Sequence, residues 1–500
     1  MSNYLTAALV NVIQGRQPMN FDALQIHQMR EEIASLNDAL NKAETVGYQT
    51  PASMSPDGGN LAPLYAQSID NVVADLVGYN EEDFEFYKML PHDKATQTGH
   101  EWAAKESLGS PFLTGRAAEG DISPLNQSEF SRGSVRIKYW VETRSLTNVG
   151  AQVPGLAGNN MALETKNAAT ENLRRMDLDS MYGNSAIDPL AIDGVFTQIQ
   201  NASGVASAVN PRGVDTYLDK EGATISFAEI AEILRQMTEP TIGAKPKVAL
   251  VTRHLYTDMV NQAIAGAMTT REFYETRDYN YGSNGLFIKT PAGVDVPVKP
   301  VTFMDQQNGL FGSGPTAAVG STLCPATPVI ASASAGSLSG SKFKAGDVGA
   351  YIYRIAATSA EGSSAFAATS PVTISAAGQG VTISVTNPGS NPPTFYRVWR
   401  SEKNGAAATC KYLFDFKYST SGGATDILDK NLERYNTGKM LIANFSPEQM
   451  CWYDLLPTVR VPLAQVTMRI PFAIFSSGAV AVKAASKQKY INNIGFATGM

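Results

Sequence analysis

The apolar positions of this chain fall into helical, alternating and featureless stretches, and the order of these stretches carries most of its information. Between residues 21 and 44, Ile26, Met29, Ile33, Leu36 and Leu40 recur at intervals of three and four, the stripe of an amphipathic helix. Such a helix packs on its own subunit or pairs with a neighbour as a short coiled coil. The turn-rich Ser55-Pro56-Asp57-Gly58-Gly59 then reads as a flexible joint. Helical spacing resumes with Leu64, Ile69, Val72, Val73 and Leu76, and residues 84–90 turn aromatic before Pro91 stops them.

Residues 92–132 form a long polar passage holding Gly99, Gly109, Pro111, Gly115, Gly120 and Pro124. Loops beyond about 12–15 residues are uncommon unless they have a task. Residues 98–103 lead into it and 134–143 leave it as the alternating Val135, Ile137, Tyr139, Val141. This predicts a two-stranded arm reaching beyond its own domain. Residues 161–181 make the strongest helix, with Leu163, Ala168, Ala169, Leu173, Met176 and Met181 on one side. At 1.5 Å per residue it spans about 30 Å. A second helix follows over 227–237 and ends before Pro240. Val248-Ala249-Leu250-Val251-Thr252 is then a short, almost wholly apolar strand suited to a buried place in a sheet, and helix resumes over 253–267. The fold class expected for this part is α+β.

Near residue 313 the pattern changes. From Ser313 to Ser341 no residue is charged. Alternating runs then follow at Tyr351/Tyr353/Ile355, Val372/Ile374, Val381/Ile383/Val385, Tyr396/Val398 and residues 412–416, separated by Gly, Ser, Asn and Pro clusters. That is the rhythm of an all-β sandwich over 325–436. Because α+β sequence flanks it on both sides, it reads as an insertion. Ser446-Pro447-Glu448 looks like a helix start behind an N-cap serine. Residues 470–475, 479–482 and 490–494 read as strands that complete the first domain's sheet.

Composition narrows the function classes. Of 500 residues, 43% are apolar and only 17% charged, against a typical charged share of about 25%. A chain of this kind buries a substantial core and leaves a surface suited to meeting protein. The net charge is −6 with no run of Lys or Arg, which argues against a strong grip on nucleic acid. Cys324, Cys410 and Cys451 are far apart and include no CxxC pair, so neither a zinc site nor a disulfide framework is indicated. The N-terminus lacks a signal-peptide pattern, and no apolar stretch approaches the roughly 18 residues of a membrane helix. No membrane partner is expected.

Catalytic patterns are missing. His27, His92, His100 and His254 are scattered and form no HExxH. There is no GxSxG elbow. Gly438-Lys439 is the nearest approach to a phosphate loop, but Glu433 occupies the upstream glycine position and Met440 the Ser/Thr position. Glu81-Glu82-Asp83 and Glu31-Glu32 read as solvated faces, and a glycosidase's paired carboxylates are not marked out. No enzyme activity, cofactor or metal is expected.

The order of parts resembles the Hong Kong 97-type major capsid proteins of tailed bacteriophages. The resemblance covers about three quarters of the chain, all but the inserted sandwich. It assigns an N-terminal arm to 1–75, an extended loop to 92–140, and a peripheral domain to 76–200 and 442–500 with its spine helix at 161–181. An axial domain falls at 201–324, entered through Asp193-Gly194-Val195-Phe196-Thr197-Gln198-Ile199. The insert, with Tyr351-Ile352-Tyr353-Arg354-Ile355 and Phe395-Tyr396-Arg397-Val398-Trp399-Arg400, resembles the immunoglobulin or fibronectin type III class. The resemblance implies a shell subunit assembled in the host cytoplasm into hexamers and pentamers of an icosahedral virion. Such a shell encloses double-stranded DNA without reading its sequence and works with scaffold, portal and cement proteins. The candidate inter-subunit contacts are Lys105, Glu106, Arg116, Glu119 and Asp121 near the loop tip, and Met29, Ile33, Leu36 and Leu40 on the arm. Lys105 gives no ground for the covalent lysine–asparagine link known in some relatives. The alternatives are an encapsulin-type compartment and a tail or baseplate protein.

Overall fold

The computed structural model describes residues 83–496, apart from 111, 114–115, 120, 123–124, 153–158, 266–285, 290–294, 308–310, 421–422 and 466. The amphipathic stripes expected at 21–44 and 64–76, with Met29, Ile33, Leu36 and Leu40, lie outside the described residues.

The helix Asn160–Tyr182 organises the first layer. Asn159 sets its start, because the Asn159 side chain accepts hydrogen bonds from the amides of Met161 and Ala162. Gly183 sets its end, since a Cβ there would lie 2.4 Å from the Ile192 carbonyl oxygen. The helix buries Ala168, Asn172, Met176 and Met181 and packs on a four-stranded sheet. In that sheet His92–Lys94 runs parallel to Met450–Pro462, and Arg469–Val482 and Lys138–Thr147 follow antiparallel. Trp140 and Trp452 meet at 5.6 Å in its core.

Two expectations change here. The helix start at Ser446-Pro447 is a turn leading into the strand Met450–Pro462. Met450, Cys451 and Trp452 stand opposite Val482, Ala481 and Val480, all buried, and this burial outweighs the local capping signal. The single return strand expected over 134–143 is two strands. Glu129–Arg136 pairs with Gly99–Ser107 in the hairpin, whereas Lys138–Thr147 pairs with Arg469–Val482 in the body. The buried Ile137 marks the break, its amide donating to the Thr98 carbonyl at 2.9 Å.

The second sheet has six strands in the order Tyr217–Asp219, Lys489–Ile494, Gly438–Ala443, Val248–Thr252, Asp295–Val301, Leu286–Lys289. Val248–Thr252 is buried throughout because both faces are used: Val248 and Leu250 join the first core, Ala249 and Val251 the second. The helices Phe227–Thr238 and Arg253–Ala265 fill that second core through Ile230, Leu234, Leu255 and Met259. Residues 490–494, expected in the first sheet, belong to this one. Ile491 and Ile494 pack with Met440 and Ile442, while Tyr490 turns to the first core and stacks on Phe196 at 4.5 Å. The chain after residue 442 is therefore shared between the two sheets.

Asp295–Val301 and Gly438–Ala443 both flank Val248–Thr252, and an all-β module occupies the sequence between them. One of its sheets is Val329–Ser337, Gln379–Thr386, Ala424–Asp429; the other runs from Lys411–Lys417 through Phe395–Arg400 and Tyr353–Ser359 to Gly362–Ser363 and Val319–Gly320. Val381, Ile383, Val385 and Ile427 from the first sheet and Tyr353, Ile355, Tyr396 and Val398 from the second share one core. Within it, Arg400 and Asp429 form an ion pair at 2.6 Å, both under 4% exposed at the side chain, and the Tyr353 hydroxyl donates to the same carboxylate at 2.8 Å.

Candidate inter-subunit interface

The hairpin Gly99–Ser107 / Glu129–Arg136 leaves the body carrying no buried residue of its own. Exposure alternates along both strands, so one face is half-covered and the other open. Its internal ties are light. Glu101 and Arg132 form an exposed cross-strand pair at 3.1 Å, and pairs of this kind contribute about 0–1 kcal/mol. Gly133 lets the strand pass the Trp102 ring, since a Cβ there would lie 2.5 Å from the indole. Nearer the tip, the Ser107 hydroxyl accepts from the Gly109 amide and the Asn126 side chain from the Ser110 amide. Gly109 has φ +110°, a left-handed conformation that favours glycine.

Of the polar tip residues, Lys105, Arg116, Glu119 and Asp121 are exposed and Glu106 is half-buried. They lie on or beyond the outer end of the two strands in sequence, and no ion pair joins any two of them. The larger feature at that end is apolar. Phe112 is 91% exposed, Ile122 93%, Leu125 89% and Leu108 76%. Leaving a Leu, Ile or Phe side chain in water forfeits about 1.5–3 kcal/mol relative to burying it. Sequence reasoning passed over these residues because the segment reads as polar; the available signal was Phe112-Leu113, Ile122 and Leu125 standing among the glycines and prolines.

Where the hairpin joins the body, aromatic rings and two histidines hold it. His100 stacks on Tyr453 with ring centres 3.7 Å apart, and burial together with nearby Lys483 lowers its pKa. His92 Nδ1 lies 3.2 Å from the Asp454 carboxylate, and that hydrogen bond, opposed by burial, raises the His92 pKa. Tyr87 meets the His92 ring edge-on at 4.7 Å.

A second apolar surface lies on the first sheet, on the side away from the long helix. Val141, Phe475 and Val459 are cross-strand neighbours in one row, with Val461 two residues further on. Tyr139 stacks on Phe475 at 5.8 Å. Tyr139 and Val141 are about half exposed, and Val459 and Val461 are exposed as well. Among the described residues, no group of three His, Cys, Asp or Glu is placed to hold a metal ion. The cysteines are free; Cys410 and Cys451 are buried, and burial pushes the Cys410 thiol up to about 11.

No family model matches the chain. Among curated proteins, the major capsid protein of Staphylococcus phage K is 20% identical over 461 residues, covering 91% of this chain and 96% of that protein. The putative major capsid protein of Enterococcus phage phiEF24C is 22% identical over 486 residues, covering 94% and 97%. The function is that of a phage major capsid protein. Among solved structures, the capsid of cyanophage P-SCSP1u aligns with a TM-score of 0.42 at 9% identity, covering 89% of this chain and 98% of that one. The SrpI encapsulin of Synechococcus elongatus PCC 7942 aligns with a TM-score of 0.41 at 6% identity, covering 89% and 97%.

Proposed function

We propose that this capsid protein builds an icosahedral head of hexamers and pentamers around double-stranded DNA, in the manner of the Hong Kong 97-type fold. The observation that supports the reading is the hairpin, whose apolar tip at Phe112, Ile122 and Leu125 finds no cover among the described residues. Laid over a neighbour, the tip buries its apolar side chains, and Lys105, Glu106, Arg116, Glu119 and Asp121 form the polar rim of that contact. The arm stripe at Met29, Ile33, Leu36 and Leu40 is a second contact. Many such interfaces, each modest, together hold the shell against internal pressure. The role is structural rather than enzymatic, with scaffold, portal and cement proteins as further partners during assembly in the host cytoplasm. The two-sheet module is of the immunoglobulin or fibronectin type III class and projects from the shell's outer surface.

The test is electron microscopy of the full chain expressed alone and concentrated, repeated with Phe112→Ser and Leu125→Ser combined. Closed shells or sheets of six-fold rings from the parent chain, lost in the double variant, are the expected result. Stacked rings or tubes would move the protein to a tail role. Shells that hold a cargo enzyme in place of DNA during infection would make it an encapsulin-type compartment.

A further inference from the structure

The charge-free stretch 313–341 ends on Lys342 and Lys344, two lysines spaced two residues apart. Across the junction, at the end of the strand Tyr217–Asp219, stand two carboxylates with the same spacing, Asp219 and Glu221. Lys342 Nζ lies 2.6 Å from Asp219 and 3.4 Å from Glu221, and Lys344 Nζ lies 2.9 Å from Glu221. The carboxylates are held ready by the body itself. Asp219 accepts from the Asn493 side chain and from the Glu221 amide, each at 2.9 Å. Glu221 itself has a left-handed conformation, φ +50°, uncommon for a residue that carries a side chain.

A second connection runs through the return segment of the module. Arg434 pairs with Asp347 at 3.1 Å and donates to the Lys342 carbonyl at 2.7 Å. The Asn431 side chain bridges Asp347 to Arg400, which is paired with Asp429. Lys342, Lys344, Arg400 and Arg434 thus face Asp219, Glu221, Asp347 and Asp429. The neighbouring charges are engaged elsewhere, Lys220 with Glu229 at 3.0 Å and Glu433 with Lys439 at 3.2 Å. The cleft beside Arg400 and Arg434 is lined also by Asp347 and Lys403, and the Lys403 ammonium donates to the Gly346 carbonyl at 2.8 Å.

We propose that this network locks the inserted module to the body in one fixed pose, so that the module is a rigid part of the subunit rather than a tethered appendage. Two chain crossings alone leave a domain free to rock. Matched pairs at equal spacing, one carboxylate of which is largely buried, select a single orientation.

Hydrogen exchange on the full-length chain tests the lock. In the double variant Lys342→Met, Lys344→Met, amides at 341–348 and 219–223 are expected to exchange about tenfold faster, while those of Tyr353 and Val398 in the module core keep their protection. Unchanged exchange at the joint overturns the proposal. So does loss of protection in the module core, because the lysines would then be holding the module's own fold.

Discussion

The hairpin and the inserted module are both excursions from the body, and they are stabilised in opposite ways. The module closes on itself, with two sheets sharing a core and a buried ion pair within it. Among the described residues, the hairpin has none buried between Gly99 and Arg136, and Phe112, Ile122 and Leu125 are exposed. A segment that satisfies itself can be inserted almost anywhere in a chain. A segment that does not leaves its apolar side chains to be covered by other contacts.

That contrast can be broken most sharply in the module. Asp429→Ala leaves Arg400 charged and buried without its partner, and the expected loss is about 3–5 kcal/mol in denaturant unfolding followed by Trp399 fluorescence. A loss below about 1 kcal/mol would mean that the pair behaves as an exposed one. Next in size is the cap of the long helix, where Asn159→Ala should cost about 1 kcal/mol of subunit stability in the same assay.

In the hairpin the effect on the folded subunit should nearly vanish. Phe112→Ser with Leu125→Ser is expected to change unfolding free energy by less than about 0.5 kcal/mol, yet to abolish shells in sedimentation. A subunit destabilised as much as the Asp429 variant would show that the tip is buried within its own chain.

The two attachments should also respond to pH with opposite sign. Hydrogen bonding to Asp454 raises the His92 pKa, so its contribution at the hairpin root is full below the ordinary histidine value and is lost as pH rises through the raised one. Burial pushes Asp219 up, but hydrogen bonds from Lys342, Asn493 and the Glu221 amide outweigh it and hold the carboxyl below its ordinary value. Hydrogen bonding to Lys344 does the same for Glu221. The module joint is therefore intact above the ordinary carboxylate range and loosens as pH falls through the lowered values. His100 at the same root, its pKa lowered by burial and Lys483, acts in the other direction. Limited proteolysis across pH should therefore show the His92 contribution as an opening of the hairpin root on the alkaline side that needs Asp454, and the module joint as an opening on the acid side. Asp454→Asn should remove the first transition only.

Much of the fold was legible wherever the determining interactions are local. The long helix was expected over 161–181 and spans Asn160–Tyr182, because stripe and cap lie within one segment. In the module the runs around Tyr353, Val372, Val381, Tyr396 and Tyr412 are all strands, since alternation is written in each run. Val329–Ser337 and Ala424–Asp429 went unseen, being edge strands of the three-stranded sheet rich in small or polar residues that leave only a faint alternation. Of the candidate contact residues, the polar ones at the hairpin tip were named and the apolar ones beside them were not, because a glycine-rich loop gives no periodicity against which an exposed Phe112 stands out.

The sequence by itself determined the order of parts, the helix and strand identity of the strongly patterned segments, and the interruption of an α+β body by an all-β module. The tertiary structure decided which sheet each closing strand joined, where the hairpin detached from the body at Ile137, and how Lys342 and Lys344 met Asp219 and Glu221. The reason is range. Periodicity and capping act over a few residues, whereas Asn172 bonds to Ser476 and Tyr87 to Asp177, and partners so far apart are chosen by burial and register once the cores form.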